Sequence, residues 1–394
     1  MSEEDFILFI LSHDGDDPDR LLLSADRWPG IDVRRAARII AARRKVREKL
    51  PSWHAQPAID YPSSLSLEQC SSEETARYKQ AFVPEGGRIA DLTGGLGVDC
   101  WALRQRAAET HYCERNPELC AAARHNFAVL DVGDIAVHEG DGPAWLQAQT
   151  QPFDLIYLDP ARRSQTARRV YDIADCEPNL LAIEDMLLQH APRVMAKLSP
   201  MADISRTLKQ LPETRELHIV GASGEVKELL VLLEAGTDKT TAALPAPVIV
   251  VADGAIRFSF SPHEEPAATV RYTDRIGTHL FQPSKALRKA GAFRLLSQRY
   301  HLAKLAPSTH LYTADAPCPG FPGKCFRVEE VIPWNKSAIK DLRSRFEQLE
   351  MTALNFPLST EALRTRTGIP GGGDRHLFAT TLSNQDKILI LCQP

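Results

Sequence analysis

Four carboxylates stand at spacings that suit a shared site: Asp91, Glu114, Asp141 and Asp159. Asp91 opens the run Asp91-Leu92-Thr93-Gly94-Gly95-Leu96-Gly97, in which a short apolar stretch ends in an acid and passes into a glycine-rich turn. Glycines there let backbone approach a ligand, and a helix starting at the turn offers free N–H groups. A dinucleotide-binding loop reads GxGxxG, but Cys100 occupies the place of its third glycine, which weakens a nicotinamide reading. Glu114 falls where a carboxylate accepts both hydroxyls of a ribose, Asp141 lies where an adenine amino group can be met, and Asp159 begins Asp159-Pro160-Ala161-Arg162.

Acids at those positions form one site only if each ends a parallel strand. Between Pro84 and Leu233, short apolar runs alternate with longer helical ones, as in successive βαβ units. Strands are expected near 88–91, 110–114, 135–139, 154–158, 193–197, 216–220 and 228–233, with a hairpin over 247–259 turned by Asp253-Gly254. The expected fold is α/β, a doubly wound, mostly parallel sheet of seven strands over residues 83–265. Residues 1–82 read as helices in which no chemistry is visible, including a short one behind the Ser71-Ser72-Glu73-Glu74 cap. Beyond residue 265 a smaller α+β region follows, with a helix near 336–349 and a strand pair at 376–382 and 387–392.

Taken as a set, these motifs resemble the class I S-adenosylmethionine-dependent methyltransferases, whose first motif is an acid followed by GxGxG. Thr93 stands in place of the first glycine of that motif. The resemblance implies that Asp91, Thr93, Gly95, Gly97, Glu114 and Asp141 serve S-adenosylmethionine. It also implies that Asp159, Pro160 and Arg162 form the acceptor site, matching the Asn/Asp-Pro-Pro-aromatic motif of enzymes that methylate exocyclic amines. Arg162 supplies no aromatic ring, though a guanidinium plane also stacks on a base. A DPxR motif is similar as well to uracil C5 methyltransferases, but those need a cysteine nucleophile, and Cys176 is better explained structurally.

The C-terminal part resembles bacterial proteins that follow such a domain with a ferredoxin-like segment, here 266–322, and a THUMP-like domain, here 323–394. The similarity is carried by Phe281-Gln-Pro-Ser-Lys285-Ala-Leu-Arg288-Lys289-Ala290, Asn355-Phe-Pro-Leu-Ser359 and Gly371-Gly-Gly-Asp-Arg-His-Leu-Phe-Ala-Thr380. It implies RNA, a tRNA or rRNA, as substrate.

Charge points the same way. Residues 271–394 carry 18 Lys+Arg against 10 Asp+Glu, leaving 29 against 41 for residues 1–270. No acid lies between Asp274 and Asp315, whereas Arg275, Lys285, Arg288, Lys289, Arg294, Arg299 and Lys304 do. Candidate RNA contacts are Lys285, Arg288, Lys289 and Arg294, together with Arg163, Arg168 and Arg169 beside the acceptor motif. Two alternatives remain open: methylation of a small molecule or protein, and an RNA-binding protein without turnover. No apolar run reaches the roughly 18 residues of a membrane span, the N-terminus is acidic, and the eight cysteines form no CxxC pair. A cytoplasmic protein without a metal site is expected.

Overall fold

Arg88–Asp91 is a four-residue strand whose last three residues are buried, and the sheet is built outward from it. The computed structural model describes residues 2–162, 172–235 and 246–394. In chain order the strands of the first sheet are β1 (Arg88–Asp91), β2 (Glu109–Glu114), β3 (Ala136–Glu139) and β4 (Leu155–Leu158). A separate two-stranded ladder follows, β5 (Ala161–Arg162) with β6 (Cys176–Glu177). The first sheet continues with β7 (Arg193–Leu198), β8 (Thr214–Ala222), β9 (Glu225–Glu234), β10 (Val248–Asp253) and β11 (Ile256–Phe260).

The hydrogen-bonded order is β11-β10-β8-β9-β7-β4-β1-β2-β3. Nine strands thus replace the expected seven. The 248–260 hairpin adds two strands to the sheet, because Val251, Phe258 and Phe260 offer it a buried apolar face. β1 pairs in parallel with both β2 and β4, and the chain winds one way through β2 and β3 and the other way through β4 and β7. The crevice beyond the ends of β1 and β4 is therefore the topological switch point, where open α/β sheets bind ligands. Antiparallel β9 closes that side of β7.

The N-terminal residues are helical, as expected. The long helix Val33–Lys49 is capped by Asp32, whose side chain accepts the Arg35 N–H at 2.9 Å. Its buried face, Ile39, Ile40 and Val46 among others, shares one apolar cluster with Trp53 and with Trp101 of the helix after β1. The two indoles meet edge to face at 6.1 Å, an arrangement that fixes orientation as well as burying area. The helix Glu73–Gln80 starts at Ser72, which accepts the Thr75 N–H.

By contacts the chain divides into two compact units, Met1–Glu216 with Lys227–Pro245, and Leu217–Val226 with Ala246–Pro394. The second unit contains an eight-stranded sheet built from β12 (Arg271–Tyr272), β13 (His279–Pro283), β14 (Ala303–Ala306), β15 (Thr309–Ala314), β16 (Gly323–Pro333), β17 (Glu350–Leu354), β18 (His376–Thr381) and β19 (Lys387–Gln393). Its order is β12-β14-β15-β13-β16-β19-β18-β17. The eleven-residue β16 pairs with β13 on one side and β19 on the other, so the segments on either side of residue 322 share one sheet.

Candidate cofactor and acceptor cleft

A cleft of about 1170 Å³ opens at the ends of β1 and β4 within the first unit. Of the nine residues expected to serve cofactor or acceptor, Asp91, Thr93, Gly95, Gly97, Glu114, Asp159 and Pro160 line it. The glycine loop is shaped by its own contacts. Gly97 takes φ +88° and caps the helix Val98–Arg104, a conformation that favours glycine. The Gly95 N–H donates to Glu114 Oε2 at 2.9 Å and the Asn116 N–H to Oε1 at 2.8 Å, so the Glu114 carboxylate is held by two backbone donors. Each oxygen keeps a lone pair for a further hydroxyl. Thr93, the departure from the glycine pattern, has a definite role: its Oγ1 accepts the Asp159 N–H at 2.6 Å and joins the end of β4 to the loop after β1.

Asp91 is 1% exposed. Its Oδ1 accepts the Thr93 N–H at 3.0 Å, while Oδ2 has no partner among the described residues. Burial, followed by the nearby Asp99, Asp159 and Glu114, pushes its pKa well above the usual carboxylate range. Asp141 is placed differently. It caps the helix Gly142–Gln147 by accepting the Ala144 N–H at 2.8 Å and pairs with Arg115, and its neighbours Gly142 and Pro143 line the cleft in its stead. Gly142 packs against backbone so closely that a Cβ there would lie 2.2 Å from the Leu92 carbonyl oxygen.

Asp159 forms an ion pair with Lys197 of β7, Nζ to Oδ2 at 2.6 Å. Behind them lies a group that the sequence reading did not anticipate. Lys79 is fully buried and its Nζ donates to Ser71 at 3.0 Å, Asp99 at 3.1 Å and Glu228 at 2.9 Å. Asp99 also accepts the hydroxyls of Ser71 and Tyr157, each at 2.8 Å. Burial opposes ionisation of Asp99, but Lys79 and Lys197 outweigh it and hold its pKa below the usual range. At Glu228 burial prevails over the same two cations and the pKa is raised. Burial works against the charge of Lys197, yet Asp159, Asp99 and Glu228 raise its pKa, so it remains an ammonium. The only local hint of this cluster is Lys79 sharing a helix face with buried Thr75 and Ala76. Ser66, Gln69 and Cys70 also line the cleft, so the N-terminal helices, where no chemistry was expected, contribute to the site.

Arg162 lies in β5, paired by its backbone with Cys176. Arg163, Arg168 and Arg169 lie outside the described residues. Lys285, Arg288 and Lys289 fall on the helix Lys285–Ala290 and Arg294 on Phe293–Arg299, in the second unit, and none of them lines the cleft. Lys285 is exposed, Arg288 half-buried, and Arg294 donates from Nε to the Ala268 carbonyl at 2.9 Å.

Comparison with known proteins agrees with this architecture. Residues 279–322 match a ferredoxin-like domain and residues 323–394 a THUMP domain-like family. An uncharacterized S-adenosylmethionine-dependent methyltransferase of Mycobacterium tuberculosis is 24% identical over 78% of this chain and 80% of its own length. The crystal structure of a candidate methyltransferase from Porphyromonas gingivalis W83 superimposes with a TM-score of 0.89 at 39% identity, covering 99% of this chain and 97% of that one. The chain belongs to this methyltransferase family.

As an S-adenosylmethionine-dependent methyltransferase it has a cleft whose donors and acceptors suit that cofactor. The unpartnered Asp91 oxygen asks for an N–H donor, Glu114 retains acceptor capacity for a diol, and Gly142 lets its backbone lie close against Leu92 in the cleft wall. Among the described residues no His/Cys/Asp/Glu group is arranged to hold a metal, and no helix is long and apolar enough to cross a membrane.

The methyltransferase's acid-free window is less available than its composition suggests. Arg275 pairs with Asp315 at 3.2 Å and Arg299 with Glu264 at 2.8 Å. Lys304 is buried, bonded to the carbonyls of Ala306 and Pro307, and burial pulls its pKa down to about 8. A second cleft of about 1120 Å³ lies in the second unit, lined in part by Tyr272, Ser308, Asn355–Ser359, Gln385 and Lys387.

Proposed function

We propose that this enzyme transfers the methyl group of S-adenosylmethionine to a base in a tRNA or rRNA. The observation that carries the reading is the pairing, in one chain, of a cofactor cleft walled by Asp159 with C-terminal ferredoxin-like and THUMP-like domains. The second cleft adds support: its lining offers hydroxyls, amides, Tyr272, Phe356 and Lys387, and no carboxylate among the described residues.

On this reading Asp91, Thr93, Gly95, Gly97, Glu114 and Asp141 serve the cofactor, and Asp159, Pro160 and Arg162 the acceptor. Bound S-adenosylmethionine supplies an electrophilic methyl on a sulfonium. Glu114, fixed by the Gly95 and Asn116 amides, accepts from ribose hydroxyls. Asp159 accepts an N–H of the acceptor base and aligns its attacking lone pair. Lys197 holds that carboxylate in one orientation, so Asp159 acts first as an orienting group. Lys285, Arg288, Lys289, Arg294, Arg163, Arg168 and Arg169 meet phosphates.

The test is incorporation of tritiated methyl groups into RNA from a strain lacking the gene. Label in RNA, released by nuclease, is the expected result, whereas label only in protein or small molecules refutes an RNA acceptor. Binding gives a second check. The Lys285→Ala/Arg288→Ala/Lys289→Ala protein should show a flatter dependence of RNA affinity on salt, by about 0.7 in logarithmic slope for each lost phosphate contact. A small-molecule or protein acceptor is the second reading, favoured by the ion pairs of Arg275 and Arg299 and the burial of Lys304, which give three bases of the window partners within the protein.

A further inference from the structure

Asp159 and Lys197 stand level with each other on neighbouring parallel strands. β4 and β7 pair in register through Leu158 and Ala196, so the next position along each brings Asp159 and Lys197 side by side into the cleft. Lys197 Nζ meets Asp159 Oδ2 at 2.6 Å, and the two side chains are 12% and 36% exposed. That contact exhausts neither of them. Among the described residues Asp159 Oδ1 accepts no hydrogen bond, and the Lys197 ammonium keeps two of its three N–H groups. The surrounding groups are Asp91 at the end of β1, Asp99 of the helix after it, Lys79 of the helix before it, Tyr157 of β4, Glu228 of β9 and the Cys70 thiol. Lys79 is committed to Asp99 and Glu228, and Tyr157 donates to Asp99, which leaves the Asp159–Lys197 pair to meet the acceptor.

A carboxylate that accepts beside an ammonium that donates is complementary to an N–H next to a carbonyl, as at N1 and O6 of guanine or N3 and O4 of uracil. An exocyclic amine next to a ring nitrogen suits the pair less. Methylation of that amine develops positive charge, and an ammonium bonded to the ring nitrogen draws electron density away from the nucleophile. On a lactam the charge has the opposite sign: loss of the N–H proton places negative charge on the oxygen, where a fixed cation stabilises it.

We propose that Lys197 is a catalytic residue that donates to the carbonyl oxygen of a lactam in the acceptor base, so that the atom methylated is the ring nitrogen beside that oxygen. The proposal rests on the reading that the acceptor is a base in RNA. The step balances. The ring N–H proton passes to Asp159, and the electron pair it leaves spreads over nitrogen and oxygen. Lys197 loses one anionic partner as it gains another, so its buried ammonium is never left uncompensated. The N–C bond to the methyl forms as the methyl's bond to sulfur breaks, the oxygen returns to a carbonyl, and the proton on Asp159 leaves to solvent.

The experiment begins with RNA from a strain lacking the gene, treated with the full-length enzyme and tritiated S-adenosylmethionine, digested to nucleosides and separated. Label in 1-methylguanosine or 3-methyluridine is the expected result, and the labelled nucleoside tells which of the two bases is the acceptor. Label in a methylated exocyclic amine or a C-methylated base overturns the proposal and leaves an RNA acceptor standing. No label in RNA removes the proposal together with the reading on which it rests. Lys197→Met should lower the rate by about 100-fold at neutral pH, and Lys197→Arg should restore part of it. The Lys197→Met deficit should shrink as pH rises toward the ionisation of the lactam itself, whereas a deficit equal at every pH marks a merely structural role and overturns the proposal. Binding gives a readout without turnover. An oligonucleotide of the labelled sequence, with its acceptor base replaced by a more acidic lactam, xanthine for guanine or 5-fluorouracil for uracil, should bind the cofactor-free protein several-fold more tightly than its parent. Lys197→Met should abolish that preference. Should this variant not fold, the wild type still decides: equal affinity for the parent and the acidic oligonucleotide at every pH overturns the proposal.

Discussion

Replacing Lys79 by methionine removes a fully buried ammonium while keeping most of its volume. Three partners lose their donor: Ser71 at 3.0 Å, Asp99 at 3.1 Å and Glu228 at 2.9 Å. Asp99 keeps two hydroxyl donors, from Ser71 and Tyr157, and remains supported as an anion. Glu228 has no hydroxyl donor in reserve among the described residues, and its pKa is already raised by burial even with Lys79 and Lys197 nearby. Breaking a buried ion pair from one side costs about 3–5 kcal/mol, because a charge is left without compensation. For a unit of this size each kcal/mol corresponds to roughly 2–4 °C, so the first unit of Lys79→Met should melt about 6–20 °C lower. The pH dependence carries a definite sign. An acid whose folded pKa exceeds its unfolded value binds more protons when folded, so its penalty grows as pH rises above the unfolded value. The deficit of Lys79→Met should therefore shrink on mild acidification, and adding Glu228→Gln should recover about half of it at neutral pH. Urea denaturation of the three proteins across that pH range is the assay. A loss below about 1 kcal/mol that is the same at all pH values would refute the claim that this cluster is held by a buried charge.

Gly142→Ala should lose about 1–3 kcal/mol of stability or at least tenfold in cofactor affinity, since its Cβ would meet the Leu92 carbonyl at 2.2 Å; thermal melts with and without S-adenosylhomocysteine measure both. Glu114→Ala removes an acceptor that also holds the Gly95 and Asn116 amides, and calorimetry should show cofactor binding weakened by about 2–4 kcal/mol. Asp159→Ala should lower methyl transfer by about 100-fold or more while cofactor affinity stays within a few-fold, and equal losses in both would make Asp159 a cofactor ligand. In the second unit burial holds the pKa of His310 and His376 down to about 4, so the unfolded chain binds their protons first. Stability of that unit, followed by circular dichroism, should fall as pH drops from about 6.5 toward 4.

The strand-end acids were legible because each is set by a local pattern. An apolar run closed by Asp91, Glu114 or Asp159 carries its own periodicity, and parallel winding sends all such ends to one side. The glycine turn was equally legible, since the left-handed backbone at Gly95 and Gly97 suits few other residues. What the sequence left undecided lies in contacts between distant positions. Lys79 meets Glu228 across 149 residues, and nothing near either side chain announces the other. The hairpin at 248–260 could be recognised as a hairpin, but its addition to the sheet depends on the edge that β8 presents. Asp141 has the same sequence signature with or without a helix cap, and only the folded chain shows that it accepts the Ala144 N–H. Composition gave the C-terminal region its positive balance, whereas tertiary packing directed Arg275 and Arg299 to Asp315 and Glu264 and buried Lys304. Local order follows from backbone geometry and hydrophobic period, which act over a few residues. Burial and charge pairing act through space, and only the folded chain decides which side chains share it.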